Sequence, residues 1–308
     1  MSKALILTDG KAGHENQSKA FVRSLGLDFE IIGVRFKSKF HKALSYIFDK
    51  IGINARWLWT FNSKIGDISK ITVVVGTGSG TFYPTKSLAK LLGVKCAVVL
   101  YPRGYNLSTF DCIMAPSFDK PKALLNVIEI PANIVSNDAA FYEEGVKAFE
   151  ALYSRSGKGA IAVIIGGPNK CSSMSPEWMK KMLDDVFAKS GDSEKWVTTS
   201  RRTPADVEAV VEEYPWDYKL IYSKNHFNPI PAFVALATRL YVTAESTGML
   251  SESCTCGSAE VFALDNLNPG PHKFRRFLEM LQLNGYVNGD RKVDLSAEIV
   301  RAKALLGI

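Results

Sequence analysis

Short apolar runs and amphipathic stretches alternate along the chain. ALILT (4–8) is followed by a helical pattern over 17–25, and FEIIGV (29–34) is a second run. ITVVVG (71–76), CAVVLY (96–101), DCIMAP (111–116) and NVIEIP (126–131) continue the series, with helical patterns at 84–92 and 138–153. Runs this short, with little polar alternation, fit parallel strands covered on both faces. SRSGKG (154–159) is polar and glycine-bearing and reads as a linker. After it the theme restarts with AIAVIIGG (160–167), KWVTTS (195–200) and strands within DYKLIYS, RLYVTA and AEVFALD. Helices are expected at 175–190, with Ser175 as N-cap and Pro176 at the first position, at 203–214, with Thr203 as N-cap, and at 294–308. The pattern predicts an α/β protein with two Rossmann-like α/β/α halves, divided as 1–153 and 154–293, and a terminal helix over 294–308. Ligands of such sheets sit beyond the carboxyl ends of the strands, here in loops 8–17, 76–84, 166–172 and 244–252.

Composition narrows the class. The 308 residues give room for about two ordinary domains. A formal charge of +7 favours an anionic partner. The cysteines number five, and Cys254-x-Cys256 lacks zinc spacing, so a reducing compartment and small buried thiols are expected. Asp9 and Gly10 interrupt the first apolar run, and no stretch nears the roughly 20 apolar residues of a membrane span. The expected location is the cytoplasm, with peripheral contact at the inner face of the membrane left open.

Two nucleotide motifs are excluded. Gly76-Thr77-Gly78-Ser79-Gly80 follows a strand, but its spacing is not G-x-G-x-x-G, and the next strand ends without a ribose-binding acid. No G-K-[ST] occurs, so there is no Walker A loop. Other loops keep candidate chemistry. DGKAGHEN carries Asp9, Gly10, Gly13, His14, Glu15 and Asn16 after the first strand. Within GGPNK, Gly166 and Gly167 let a backbone approach a ligand and Lys170 has the reach for a phosphate; a plain strand-to-helix turn explains them equally. In TTSRRTP, Ser200, Arg201 and Arg202 suit forked phosphate contacts. In TAESTGMLSES, Ser246, Thr247 and Ser251 offer hydroxyls at a helix start that favours a diphosphate, and Glu252 has the chemistry to hold ribose hydroxyls. Residues 34–64 interleave Arg35, Lys37, Lys39, Lys42 and Lys50 with Phe36, Phe40, Tyr46, Phe48, Trp57 and Trp59. Such segments lie on anionic lipid, line single-stranded nucleic acid, or form a solvated helix with a core-facing aromatic stripe.

Taken together, LTDGKAGHENQS, GGPNK, TTSRRTP and NPIPAFVALATRLYVTAESTGMLSES resemble the mitochondrial fission ELM (elongated-mitochondria) family, in this order from residue 5 to about 265. Bacterial members look like glycosyltransferases of the GT-B type. Two departures stand out: the family's Asp-Ser is Glu245-Ser246 here, and its Thr-Gly-Lys-Pro is Cys256-Gly257-Ser258-Ala259. DGKAGH and VVGTGSGTFYPTKSLAKLLG are also similar to loops of the enzyme that adds N-acetylglucosamine to the lipid-linked peptidoglycan precursor, with His14 at the corresponding place.

The resemblance implies a GT-B architecture, two domains across a cleft, with the acceptor on the first, a nucleotide-sugar on the second and the last helix crossing back to the first. His14 would then be the general base, with Asp9 holding the imidazole or replacing it. Gly10, Gly13, Glu15, Asn16, Gly78, Ser79 and Gly80 would form the acceptor-side loops. Gly166, Gly167, Lys170, Ser200, Arg201, Arg202, Ser246, Thr247, Ser251 and Glu252 would bind the donor. No D-x-D element is convincing, so no metal and no cofactor beyond the nucleotide-sugar substrate is expected. The acceptor would be lipid-linked or a cell-envelope glycan met through 34–64, with nucleic acid the weaker partner. The alternative is a GT-B shell without chemistry, serving as an adaptor as in eukaryotic relatives.

Overall fold

Seven strands pair in one sheet: β1 (Lys3–Thr8), β2 (Asp28–Phe36), β3 (Trp59–Phe61), β4 (Ile71–Thr77), β5 (Lys95–Val99), β6 (Cys112–Pro116) and β7 (Val127–Ile130). Their order is β3-β2-β1-β4-β5-β6-β7, and every pair is parallel except β2 with β3. The computed structural model describes the whole chain except Met1, Lys64 and Asn137; Lys64 is the last position of the basic–aromatic segment. Five further strands form a second, all-parallel sheet: β8 (Ala160–Ile164), β9 (Glu194–Thr198), β10 (Tyr218–Leu220), β11 (Arg239–Thr243) and β12 (Glu260–Leu264). Their order is β10-β9-β8-β11-β12.

Residues 1–136 and 294–308 make one compact unit and 137–293 the other. In the first, β1 is buried on both faces, as its unbroken apolar run requires. Leu5 and Leu7 join Ile32, Val74 and Phe82. Ala4 and Ile6 join Phe21 and Val22 of α1 (Ala12–Ser24), with Ala302 and Leu306 of the terminal helix α10 (Ser296–Leu306). Two more helices flank this sheet, α2 (Lys39–Lys50) and α3 (Phe82–Leu92).

Helix α4 (Ala139–Glu150) belongs to the second unit, although the polar stretch at 154–159 would divide the chain after it. The reason is aromatic packing. Phe149 is fully buried, with ring centroids 5.1 Å from Trp196, 4.7 Å from Tyr218 and 5.8 Å from Phe233. The unit is completed by α5 (Pro176–Ala188), α6 (Ala205–Glu212), α7 (Ile230–Leu236), α8 (Thr247–Thr255) and α9 (Lys273–Leu283). Ser175 caps α5 by accepting from the Trp178 amide at 3.2 Å. Thr203 does not cap α6 in that way. Its hydroxyl donates to the Gly166 carbonyl at 2.6 Å and ties two loops together. Cys254 and Cys256 are buried. Among the described residues no helix is long and apolar enough to cross a membrane.

Candidate functional site

In the first sheet β1 lies between β2 and β4, so strand order reverses there and the loops leaving β1 and β4 meet. The turn after β1 is short. Gly10 takes φ +80, its N–H donates to Thr8 Oγ1 at 3.1 Å, and α1 starts two residues later. His14, Glu15 and Asn16 therefore sit in the first turns of a helix, not in the loop that the polar sequence suggests. His14 Nδ1 lies 3.0 and 3.2 Å from the two Asp9 oxygens. A carboxylate only accepts, so Nδ1 carries the proton and Nε2 of the neutral ring keeps its lone pair. Burial pushes the Asp9 carboxyl up, but bonds from Lys11 and His14 outweigh it and hold Asp9 below its ordinary value. Asp9 is thus suited to orient the imidazole and poorly suited to be the base itself.

The loop after β4 closes on this pair. Gly78 has φ +84, and a Cβ there would lie 2.3 Å from His14 Cε1. A Cβ at Gly80 would lie 2.8 Å from Asp9 Cβ. Only glycines admit this approach. Ser79 Oγ accepts from Lys42 Nζ at 2.9 Å. Burial and the nearby Lys11 lower the Lys42 ammonium. Lys42 is the one site member that sequence alone placed elsewhere, as part of the basic segment. Glu15 pairs with Lys19 at 2.6 Å, and Asn16 and Gly13 are exposed.

The second sheet repeats the geometry. Here β8 lies between β9 and β11, and the loops after β8 and β11 meet at the reversal. Glu245 is central. Its buried Oε1 accepts from the Gly167 amide at 2.8 Å and from Thr243 Oγ1 at 3.2 Å. Its Oε2 accepts no hydrogen bond among the described residues. A Cβ at Gly166 would lie 2.0 Å from Glu245 Oε1, so Gly166 makes room for this carboxylate. The Arg202 guanidinium stands 4.0 Å from it, and the Arg202 carbonyl packs where a Gly167 Cβ would be. Ser200 is taken up in its own turn, its amide bonding Thr203 Oγ1 at 2.8 Å. Arg201 and Lys170 are exposed.

Helix α8 begins beside this cluster. Its first-turn amides lack intrahelical acceptors, and open space surrounds a Cβ built at Gly248. Ser246 and Thr247 stand at that start. Ser251 and Glu252 are engaged inside the unit. Ser251 Oγ donates to the Thr247 carbonyl at 2.6 Å, and Glu252 Oε1 accepts from the Tyr142 hydroxyl of α4 at 3.3 Å. Burial raises the Glu252 carboxyl, and its bond to Tyr142 marks it as a helix-packing group rather than a ribose clamp. Among the described residues no three His, Cys, Asp or Glu side chains gather as metal ligands would.

Residues 12–299 match the mitochondrial fission ELM1 family. The chain belongs to that family. Mitochondrial fission protein ELM1 of Arabidopsis thaliana is 22% identical, over 83% of this chain and 77% of that protein. Among solved structures, this ELM1-family fold is similar to a UDP-GlcNAc 2-epimerase from Neisseria meningitidis bound to UDP-GlcNAc, with a TM-score of 0.51 and 10% identity over 100% of both chains. It is also similar to a UDP-glucosyltransferase from Polygonum tinctorium, with a TM-score of 0.51 and 9% identity over 99% of this chain and 93% of that one. The architecture of this family member is GT-B, with two Rossmann-like domains.

Proposed function

We propose that this ELM1-family chain is a metal-independent glycosyltransferase that moves a sugar from a nucleotide-sugar to a lipid-linked or cell-envelope glycan. The observation that carries the proposal is the His14–Asp9 pair under the Gly78–Gly80 loop. His14 Nε2 takes the proton of an acceptor hydroxyl, that oxygen bonds to the sugar's anomeric carbon, and the bond from that carbon to the nucleotide phosphate breaks. The departing phosphate keeps the electron pair, and its charge is met by Arg201, Arg202, Lys170 and the N-terminus of α8 with Ser246 and Thr247. Ser200, Gly166 and Gly167 shape the donor loops, whereas Ser251 and Glu252 support them through packing. The UDP-sugar in the Neisseria epimerase and the UDP-sugar chemistry of the Polygonum enzyme make uridine diphosphate sugars the first donors to try.

The test is a thermal-shift panel of nucleotides and nucleotide-sugars, since a ligand of the native state raises apparent stability. One class should raise the midpoint. Transfer from that donor should survive EDTA and fail in His14→Ala. Strict metal dependence would overturn the charge balance described, and wild-type turnover in His14→Ala would overturn the base assignment.

The adaptor reading draws on a different observation. Glu245 places an anionic, partly unsatisfied carboxylate at the glycine loop, where it opposes a diphosphate. A panel in which no nucleotide shifts the midpoint would favour an adaptor.

A further inference from the structure

We infer that the outer face of α2 docks the protein on an anionic lipid surface. Helices normally bury their apolar stripe and show their polar one; α2 shows a second apolar stripe on its outer face. Its inward side sets Leu44 and Phe48, packed on the core, beside buried polar groups. Ser45 Oγ bonds the Tyr105 hydroxyl at 2.9 Å, Tyr46 stacks on Tyr105 at 4.3 Å, and the fully buried Asp49 carboxylate pairs with Lys86. Its outward side chains are apolar. Phe40, Ile47 and Ile51 are 67%, 55% and 62% exposed. At 100° per residue these three positions fall within about 40° of one another, so they form a single stripe. Ile53 and Trp57, exposed beyond the helix, add apolar surface, with Trp57 edge-on to Phe48 and His41.

The charges around the stripe select its partner. Arg35, Lys37, Lys39 and Lys50 are exposed, and Asp49, the one acid between 31 and 66, is buried against Lys86. An apolar stripe whose own segment carries exposed cations and no exposed acid matches a bilayer interface, where the side chains enter the acyl boundary and the ammoniums meet lipid phosphates. A second copy would set cation against cation. Single-stranded nucleic acid would need stacking rings, and Ile47 and Ile51 have none.

The docking surface stands on α2 alone. Its use in catalysis rests on the function proposed above: Lys42, on the inner side of the same helix, bonds Ser79 of the loop that lies against His14. A docked α2 thus holds the acceptor-side loop close to the lipid.

The test is co-sedimentation of the full chain with phosphatidylglycerol–phosphatidylcholine vesicles and with pure phosphatidylcholine vesicles. Binding is expected to the first only, to weaken with salt, and to shift Trp57 emission to the blue. Phe40→Ser, Ile47→Ser and Ile51→Ser should each reduce the bound fraction, and the triple variant should reduce it by about tenfold or more. Leu125→Ser and Leu283→Ser, at other exposed apolar sites (91% and 88%), should bind as wild type. His14→Ala should also bind as wild type, so failure of the transferase reading and failure of this one are told apart. Equal binding to both vesicle types, wild-type binding by the triple variant, a dimer that the triple variant abolishes, or displacement from vesicles by single-stranded DNA would each overturn the inference.

Discussion

His14 presents Nδ1 to the Asp9 carboxylate at 3.0 Å across the Gly10 turn, and the two residues act as one unit. Asp9→Asn is nearly isosteric, but its amide can offer an N–H to Nδ1 and so move the ring proton to Nε2. Turnover should fall by about 10²- to 10⁴-fold, the range that general-base catalysis supplies. Donor KM should stay close to wild type, because Asp9 belongs to the acceptor side. Steady-state rates measured over a range of donor concentrations would read both. A large rise in donor KM at unchanged kcat would place the pair in donor binding instead.

The same carboxylate gives a pH prediction. Hydrogen bonds from Lys11 and His14 hold Asp9 below the ordinary 3.8, so its contribution to stability is present above that value. It is lost as pH falls through the lower, folded value. The melting-temperature difference between wild type and Asp9→Asn should therefore be level at neutral pH and shrink once pH drops below 3.8. A difference that grew with acidity would contradict the pairing.

Two glycines with similar backbones should respond differently to alanine. Gly10 and Gly78 have φ +80 and +84, so both substitutions strain the chain by about 1 kcal/mol. No atom lies within 4 Å of a Cβ at Gly10, whereas His14 Cε1 lies 2.3 Å from one at Gly78. Gly78→Ala should displace the imidazole and remove activity while the protein stays folded. Gly10→Ala should cost mainly the backbone term. Denaturation midpoints with a turnover assay separate the two effects.

The strands were legible because parallel, doubly covered strands are written as continuous apolar runs, as in ITVVVG and AIAVIIGG. The place of the four loops, and of His14 just after the first strand, was legible for the related reason that each apolar run ends where its strand does. The orientation of α2 was not, because apolar side chains occur on both its faces and its polar side chains find partners, Tyr105 and Lys86, that are remote in sequence. The start of α1 was hidden by Gly13 and its polar neighbours, which mimic a loop. The placement of α4 rests on Phe149 reaching Trp196 and Phe233, and Thr203 forgoes a local cap for Gly166 across the sheet. Ser251 and Glu252 carry the right chemistry for a ligand, but only the helix face shows that their side chains are already engaged.

Glu245 separates the transferase from the adaptor. Glu245→Gln keeps an oxygen for the Gly167 amide and removes the charge. If the loop faces a diphosphate, nucleotide affinity should rise several-fold, because a like charge worth about 1 kcal/mol or more is gone. Glu245→Ala should instead leave the Gly167 N–H unpaired and cost roughly 1–3 kcal/mol of stability. Calorimetry with the nucleotide that wins the thermal-shift panel checks the first, and denaturant unfolding checks the second.

The inner side of α2 supplies the last prediction. The Asp49 side chain is fully buried, pairs with Lys86, and also accepts the Asn106 amide. Lys86→Met removes the cation and strands a buried carboxylate, which should cost about 3–5 kcal/mol. Adding Asp49→Asn to that variant removes the stranded charge while keeping an acceptor for Asn106, so a large part of the loss should return. This non-additivity is the signature of a buried pair; two independent surface charges would give additive, near-zero effects. Chemical denaturation of the single and double variants reads it directly.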